Sequence, residues 1–281
     1  MSTAGMFATR LRRQGSLLCV GIDPDPARLP AGIDRDARGI ERFCRGIVES
    51  TAPYVCAFKP QIAYFAALGA EDVLERICAT IRRDHPDVVL ILDAKRGDIG
   101  DTARRYAVEA YQRYGADAVT VNPWLGTDSL EPFFEYADRG TFVLCRTSNP
   151  GSHEFQSLLV DGEPLYVHVA RTAATSWSQR AGVGLVVGAT HPHELREVRA
   201  IVGDMPLLVP GVGAQGGDAA TVVAHGATGD GTGLVVNSSR AVLYASGDES
   251  WREAAAHEAE RTRDALNVAR EELTNRSRSL R

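Results

Sequence analysis

Short apolar runs recur along most of the chain, and each is followed by a longer stretch with helical character. The runs occupy 17–22, 54–58, 88–92, 117–121, 141–145, 184–188, 206–209 and 233–236, eight in all. Most are continuous rather than alternating in polarity, the pattern of parallel strands covered on both faces. Between them, 36–50, 70–83, 102–114 and 192–202 read as amphipathic helices. Eight strand–helix units predict an α/β fold, a (β/α)8 TIM barrel, as a single domain over 1–281. Its core strands span about 17–237 and a closing helix about 249–272. A doubly wound open sheet would carry G-x-G-x-x-G after its first strand. Here that strand ends in Gly21-Ile22-Asp23-Pro24-Asp25 instead. Polar residues also cluster after many strands rather than at one switch point.

Two segments exceed a minimal barrel. The connection 148–164 holds Asn149-Pro150-Gly151 and Asp161-Gly162, and it reads either as a lid or as a surface excursion. The polar segment 274–281 reads as a frayed end.

Composition narrows the class without naming a chemistry. The 281 residues are 44% apolar and 24% charged, ordinary for a globular protein. No apolar run approaches the ~18 residues of a membrane span. The start of the chain lacks an apolar core of signal-peptide length, so a cytoplasmic location is expected. A net charge of −5 argues against a nucleic-acid binder. The five cysteines are odd in number and form no C-x-x-C pair, so they read as buried free thiols in a reducing compartment. None sits beside a glycine-rich turn or an obvious base.

In a parallel barrel, catalytic residues sit at the C-terminal ends of strands. Those ends carry Asp23, Lys59, then Asp93 and Lys95 with Asp98 close behind, then Asn122, then Thr147 and Ser148. Asp93 and Lys95 are two apart, so an extended strand would point both the same way. Asp98 and Thr102 are four apart and would share one face of the helix that starts there. Taken singly, Asp98 could be a helix cap, Thr102 a surface residue and Asp93–Lys95 a structural ion pair. Together those readings weaken. Three adjacent strands would place two Lys and two Asp at one rim, and burying them without function costs several kcal/mol of desolvation.

A second cluster follows the last two strands. The stretch 209–218 contains Pro210, Gln215, Gly216 and three further glycines, and 236–240 ends in Ser239-Arg240. Barrels bind phosphate at these two loops, through backbone N–H groups and a cationic fork. His191 and His193 read as surface residues. No His/Cys/carboxylate trio has metal-ligand spacing, and no nucleotide-cofactor fingerprint is visible.

The stretch from Leu90 to Thr102 contains Asp-x-Lys-x-x-Asp-Ile-x-x-Thr, which closely resembles the signature of the orotidine 5′-phosphate decarboxylase family. The resemblance covers nearly the whole chain, because Asp23, Lys59, the 210–217 loop and Arg240 fall in the expected order. The loops resemble the longer bacterial subgroup (type 2). They depart from the shorter form, where Gly-Arg rather than Ser-Arg follows the eighth strand. The resemblance implies decarboxylation of orotidine 5′-monophosphate to uridine 5′-monophosphate without metal or organic cofactor. It implies Lys95 as the proton donor, Asp93 beside the departing carboxylate, and Lys59 and Asp23 on the ribose hydroxyls. It implies Ser148 on the pyrimidine edge, and Pro210, Gln215, Gly216, Ser239 and Arg240 around the phosphate. Asp98 and Thr102 would reach the neighbouring subunit's site, making a homodimer obligatory. Two rivals are weighed against it. Mg-dependent sugar-phosphate decarboxylases or synthases of the same superfamily end the second strand in an acidic ligand, where this chain has Lys59. A non-catalytic phosphate-ligand sensor would not need a second Lys facing Lys95.

Overall fold

Eight strands, each built from the β-branched and aliphatic residues of one apolar run, pair side by side and in parallel. They are β1 (Leu18–Ile22), β2 (Ala57–Pro60), β3 (Val89–Arg96), β4 (Ala118–Val121), β5 (Gly140–Arg146), β6 (Val183–Val187), β7 (Leu207–Pro210) and β8 (Leu234–Ser238). In this computed structural model the pairing runs in chain order and closes when β8 pairs with β1, Leu18 opposite Val236. The structure describes residues 9–11, 13, 15–180, 182–212 and 218–279. The expected TIM barrel is the observed fold.

Strand parity sorts the side chains into two apolar layers. Cys19, Ala57, Val89, Ile91, Ala118, Phe142, Val186, Leu208 and Val235 pack together inside the barrel, with Leu11 joining the same cluster. Their neighbours, such as Leu18, Phe58, Leu90, Val119, Val143, Leu185 and Val236, belong to the larger layer shared with the helices. That outer layer is sealed by α1 (Ala37–Thr51), α2 (Glu71–Asp84), α3 (Gly100–Val108), α4 (Thr127–Phe134), α5 (Leu165–Thr172), α6 (Pro192–Val202), α7 (Ala219–Gly226) and α8 (Trp251–Ser279). Asp36 and Asp218 cap α1 and α7, their carboxylates accepting from Gly39 N and Thr221 N. Each large aliphatic side chain so buried contributes roughly 1.5–3 kcal/mol.

Three elements differ from the sequence reading. The second strand starts at Ala57 rather than at 54, because a 3-10 turn with Pro53 near its start (Ala52–Tyr54) extends the end of α1. The helix expected over 102–114 ends in a π turn, Glu109–Arg113. The closing helix does not stop at 272: it runs through Ser279, with Leu273 packed on the core and Thr274 Oγ1 donating to Arg270 O at 3.1 Å. The long connection after β5 holds a short helix (His153–Gln156) and a pair of two-residue antiparallel strands, Leu159–Val160 and Glu163–Pro164. No helix among the described residues is long and apolar enough to cross a membrane.

Candidate active site

The parity that fills the barrel also aims its mouth. Two residues beyond the inner apolar layer stand Gly21, Lys59, Asp93, Thr120, Leu144, Gly188, Pro210 and Asn237. Of these, Lys59, Asp93, Leu144, Pro210 and Asn237 line a cavity of about 550 Å3, together with Asp23, Lys95, Ser148, Ser239 and Arg240. Glycine at 21 leaves room for the β8 loop, since a Cβ there would lie 1.9 Å from Ser239 Oγ. Ser239 Oγ in turn accepts from Asn237 Nδ2 at 3.1 Å.

Asp93 is the centre of the charge array. Lys59 Nζ donates to its Oδ2 at 2.7 Å, and Lys95 Nζ donates to its Oδ1 at 2.6 Å. Burial alone would push the Asp93 carboxyl up, but the two ammoniums outweigh it and hold the group well below the usual carboxylate range. Burial likewise opposes the charge on Lys59, and the carboxylates of Asp93 and Asp23 override it, raising the amine above its ordinary value. The pair is therefore ionised on both sides throughout the neutral range.

Lys95 does not arrive there by plain strand alternation. The β3–β4 register shifts between Leu92 and Arg96, and Lys95 takes a left-handed φ of 46°. For a residue with a side chain this backbone costs of order 1–3 kcal/mol and needs external support. Thr120 supplies it. Its hydroxyl accepts from Ala94 N and Lys95 N at 3.0 Å each and lies 2.9 Å from Asp93 Oδ1, to which it donates. Thr120 was not singled out from the sequence. Its only signal is a polar residue at an inward position of an otherwise apolar strand.

Asp23 follows β1 with one carboxylate oxygen, Oδ1, buried and without a hydrogen-bond partner. A buried acceptor in that state costs about 1–3 kcal/mol, and a hydroxyl donor entering the cavity would relieve it. Across the cavity, Gly188 N donates to Arg146 O at 2.7 Å, and a Cβ on Gly188 would lie 2.8 Å from Ser148 Cβ. The glycine thus lets the β5 loop fold over the mouth.

Some expected residues lie elsewhere. Asp98 precedes α3, whose N-cap is Ile99, so it neither caps that helix nor shares a face with Thr102; its Oδ1 accepts from Ile99 N at 2.8 Å. Thr102 is exposed, and neither residue lines this chain's cavity. Asn122 turns to Trp124 N at 3.0 Å and borders a separate groove. Gln215 and Gly216 lie outside the described residues. All five cysteines are buried and unpaired, and burial pushes the thiols of Cys56, Cys78 and Cys145 up to about 12. Among the described residues, no group of three or more His, Cys, Asp or Glu is placed to hold a metal ion.

The pattern of the Orotidine 5′-phosphate decarboxylase / HUMPS family matches residues 16–256. The chain is 57% identical over 254 residues to an orotidine 5′-phosphate decarboxylase of Janthinobacterium sp. (strain Marseille), covering 90% of this chain and 94% of that one. It is 58% identical over 257 residues to the protein of the same name in Bordetella petrii, covering 91% and 94%. Among solved structures, the Leishmania donovani OMP decarboxylase superposes with a TM-score of 0.83 at 36% identity, over 96% of this chain and 99% of that one.

Proposed function

The chain belongs to the orotidine 5′-phosphate decarboxylase / HUMPS family, and on that premise we propose how the barrel mouth does its work. The activity is decarboxylation of orotidine 5′-monophosphate to uridine 5′-monophosphate, in de novo UMP biosynthesis. The C6–carboxylate bond breaks, CO2 leaves, and the electron pair stays on C6 of the pyrimidine. Lys95 faces that carbon as an ammonium, stabilises the developing charge and then transfers a proton to it. Asp93 sits beside the departing carboxylate, where like-charge repulsion is relieved as CO2 forms. Lys59 holds Asp93 in place and, with Asp23, takes the ribose hydroxyls. The orphaned Asp23 oxygen suits that donor.

Ser148 meets the pyrimidine edge. Arg240, with Pro210, Gln215, Gly216 and Ser239, surrounds the phosphate. Phosphate binding far from C6 contributes through loop closure over the site. The whole chain, 1–281, acts as one barrel unit in the cytoplasm. A homodimer completes each site: Asp98 and Thr102, which do not line their own cavity, serve the ribose of the neighbouring one. No cofactor takes part. Lys59 at the end of β2 puts a cation where a metal-assisted relative needs an acidic ligand.

The observation that carries this reading is the buried Asp93 carboxylate held between two ammoniums at 2.7 and 2.6 Å. Its test is a spectrophotometric assay with orotidine monophosphate in excess EDTA. Full turnover is expected, and turnover abolished by the chelator would overturn the metal-free mechanism. For the shared site, mixing inactive Lys95→Ala and Asp98→Ala subunits should restore part of the activity. No recovery in a confirmed heterodimer would overturn the cross-subunit assignment.

A further inference from the structure

β5 ends in a buried cation that the reaction scheme does not use. The Arg146 side chain is 3% exposed, and its Nε donates to Glu194 Oε2 of α6 at 2.5 Å. A buried guanidinium is tolerated only when its charge is paired and its remaining donors are bonded. Here the Nη1 donors go to the connection that carries Ser148. Nη1 reaches Thr147 O and Gln156 Oε1, both at 3.4 Å, and the Ser152 hydroxyl.

Gln156 closes the other side. Its Oε1 accepts from Thr147 N at 2.8 Å, and its Nε2 donates to Thr147 Oγ1 at 2.9 Å. Thr147 is therefore gripped by its N–H, its carbonyl and its hydroxyl, one residue before Ser148. Ser148 itself is pressed against Gly188 on β6. Gln156 borders the cavity, yet its amide is committed to Thr147.

We infer that Arg146 and Gln156 are positioning residues for base recognition: they lock Thr147 so that Ser148 is held over the mouth at the pyrimidine edge. The inference rests on the assignment of Ser148 to that edge. Residues that hold a recognition group in a productive geometry act through it, so their effect vanishes when that group is removed.

The experiment measures inhibition constants of two probes, UMP and ribose 5-phosphate, which differ by the base. Gln156→Ala should weaken UMP by about tenfold, the value of one well-placed hydrogen bond, and leave ribose 5-phosphate within about twofold. Ser148→Ala should weaken UMP similarly. The double variant should be no weaker than Ser148→Ala alone. Arg146→Lys, which keeps the ion pair with Glu194 but loses the fork, should behave like Gln156→Ala. If the arginine variant fails to fold, the glutamine series carries the test by itself. Equal loss for both probes, additive losses in the double variant, or a normal Gln156→Ala protein would overturn the inference. A normal UMP constant in Ser148→Ala would instead remove the Ser148 assignment, and the inference with it.

Discussion

The barrel holds two buried carboxylates near opposite ends of β3, and they are bound in opposite ways. At the base, Asp117 leads into β4. Its Oδ2 accepts from the backbone N–H of Leu90 at 2.9 Å, and its Oδ1 takes Arg10 at 2.6 Å, with Arg139 and Arg82 further off at 3.5 and 3.6 Å. At the mouth, Asp93 is held by side chains: two lysines and a threonine. A backbone donor is fixed by the sheet, so Asp117 ties strands together and closes the floor. Side-chain donors can turn, so the partners of Asp93 can be shared with a substrate. Similar burial and similar charge thus give a structural clamp at one end and chemistry at the other. What separates them is whether the donors belong to the sheet or to movable tips facing a cavity.

The largest expected effect tests the mouth. Lys95→Ala removes both the charge stabiliser and the proton donor, so kcat should fall by roughly 10^4-fold or more, read in a direct turnover assay. Stability should change little, because the Lys95 side chain is 44% exposed. Lys95→Gly should lose as much activity yet be more stable than Lys95→Ala, since glycine accepts a φ of 46° without strain. Near-normal activity in either variant would break the contrast at its active end.

The next effect tests the base. Asp117→Ala leaves the Leu90 N–H and the guanidinium of Arg10 without their acceptor, at a cost of about 3 kcal/mol. For a chain of this size that corresponds to a Tm lower by roughly 6–12 °C. The kcat of the folded fraction should stay at the wild-type value. A large loss of kcat in the folded protein would mean that the floor also shapes the mouth.

A third effect uses pH. Asp93 has a depressed folded-state value, so its contribution is present above the ordinary carboxylate range and lost as pH falls through the lower folded value. Lys59 has a raised value, so its contribution is present below the ordinary lysine range and lost as pH rises through the higher folded value. Between about pH 5 and 9 neither titrates, and the pair should add no limb to the kcat/KM profile. Asp93→Asn changes the sign for Lys59. Burial then has less opposition and favours the neutral amine in the folded state. The unfolded chain now binds more protons, so the stability deficit of the variant should narrow as pH rises from about 7 to 10. A deficit independent of pH would show that Lys59 does not depend on Asp93 for its charge.

Much of this contrast was legible before the structure, but unevenly. Charged residues directly after apolar runs stand out, because nothing in a core can receive them. Asp23, Lys59, Asp93 and Lys95 were found that way, and the structure brings them to one cavity. Asp117 was read merely as the first residue of a strand, since its meaning comes from Leu90 in the neighbouring strand and from Arg10, far away in sequence. Thr120 and Asn237 are ordinary strand residues whose role depends on parity across the barrel. The bulge at Lys95 left no trace, because lysine does not encode a positive φ. Asp98 was misread as a helix-face residue because α3 starts only at Gly100, beyond it.

The smallest effect asks which donor organises the base. Arg10 makes the shortest ion pair to Asp117, yet its side chain is 36% exposed, so water and salt screen it. Its other bond goes to Pro86 O at 3.1 Å, which water can replace. In Arg10→Ala the Leu90 N–H still donates to Asp117, and Arg82 and Arg139 still face it. The cost should therefore be about 0.5–1 kcal/mol, roughly 1–4 °C in Tm, with kcat unchanged. The deficit should shrink in 1 M salt, because an exposed ion pair is weakened in the wild type and absent from the variant. A Tm loss equal to that of Asp117→Ala would mean that the arginine, not the sheet, closes the floor. The base would then resemble the mouth, a carboxylate held by movable tips, and only the mouth's cavity would distinguish the two.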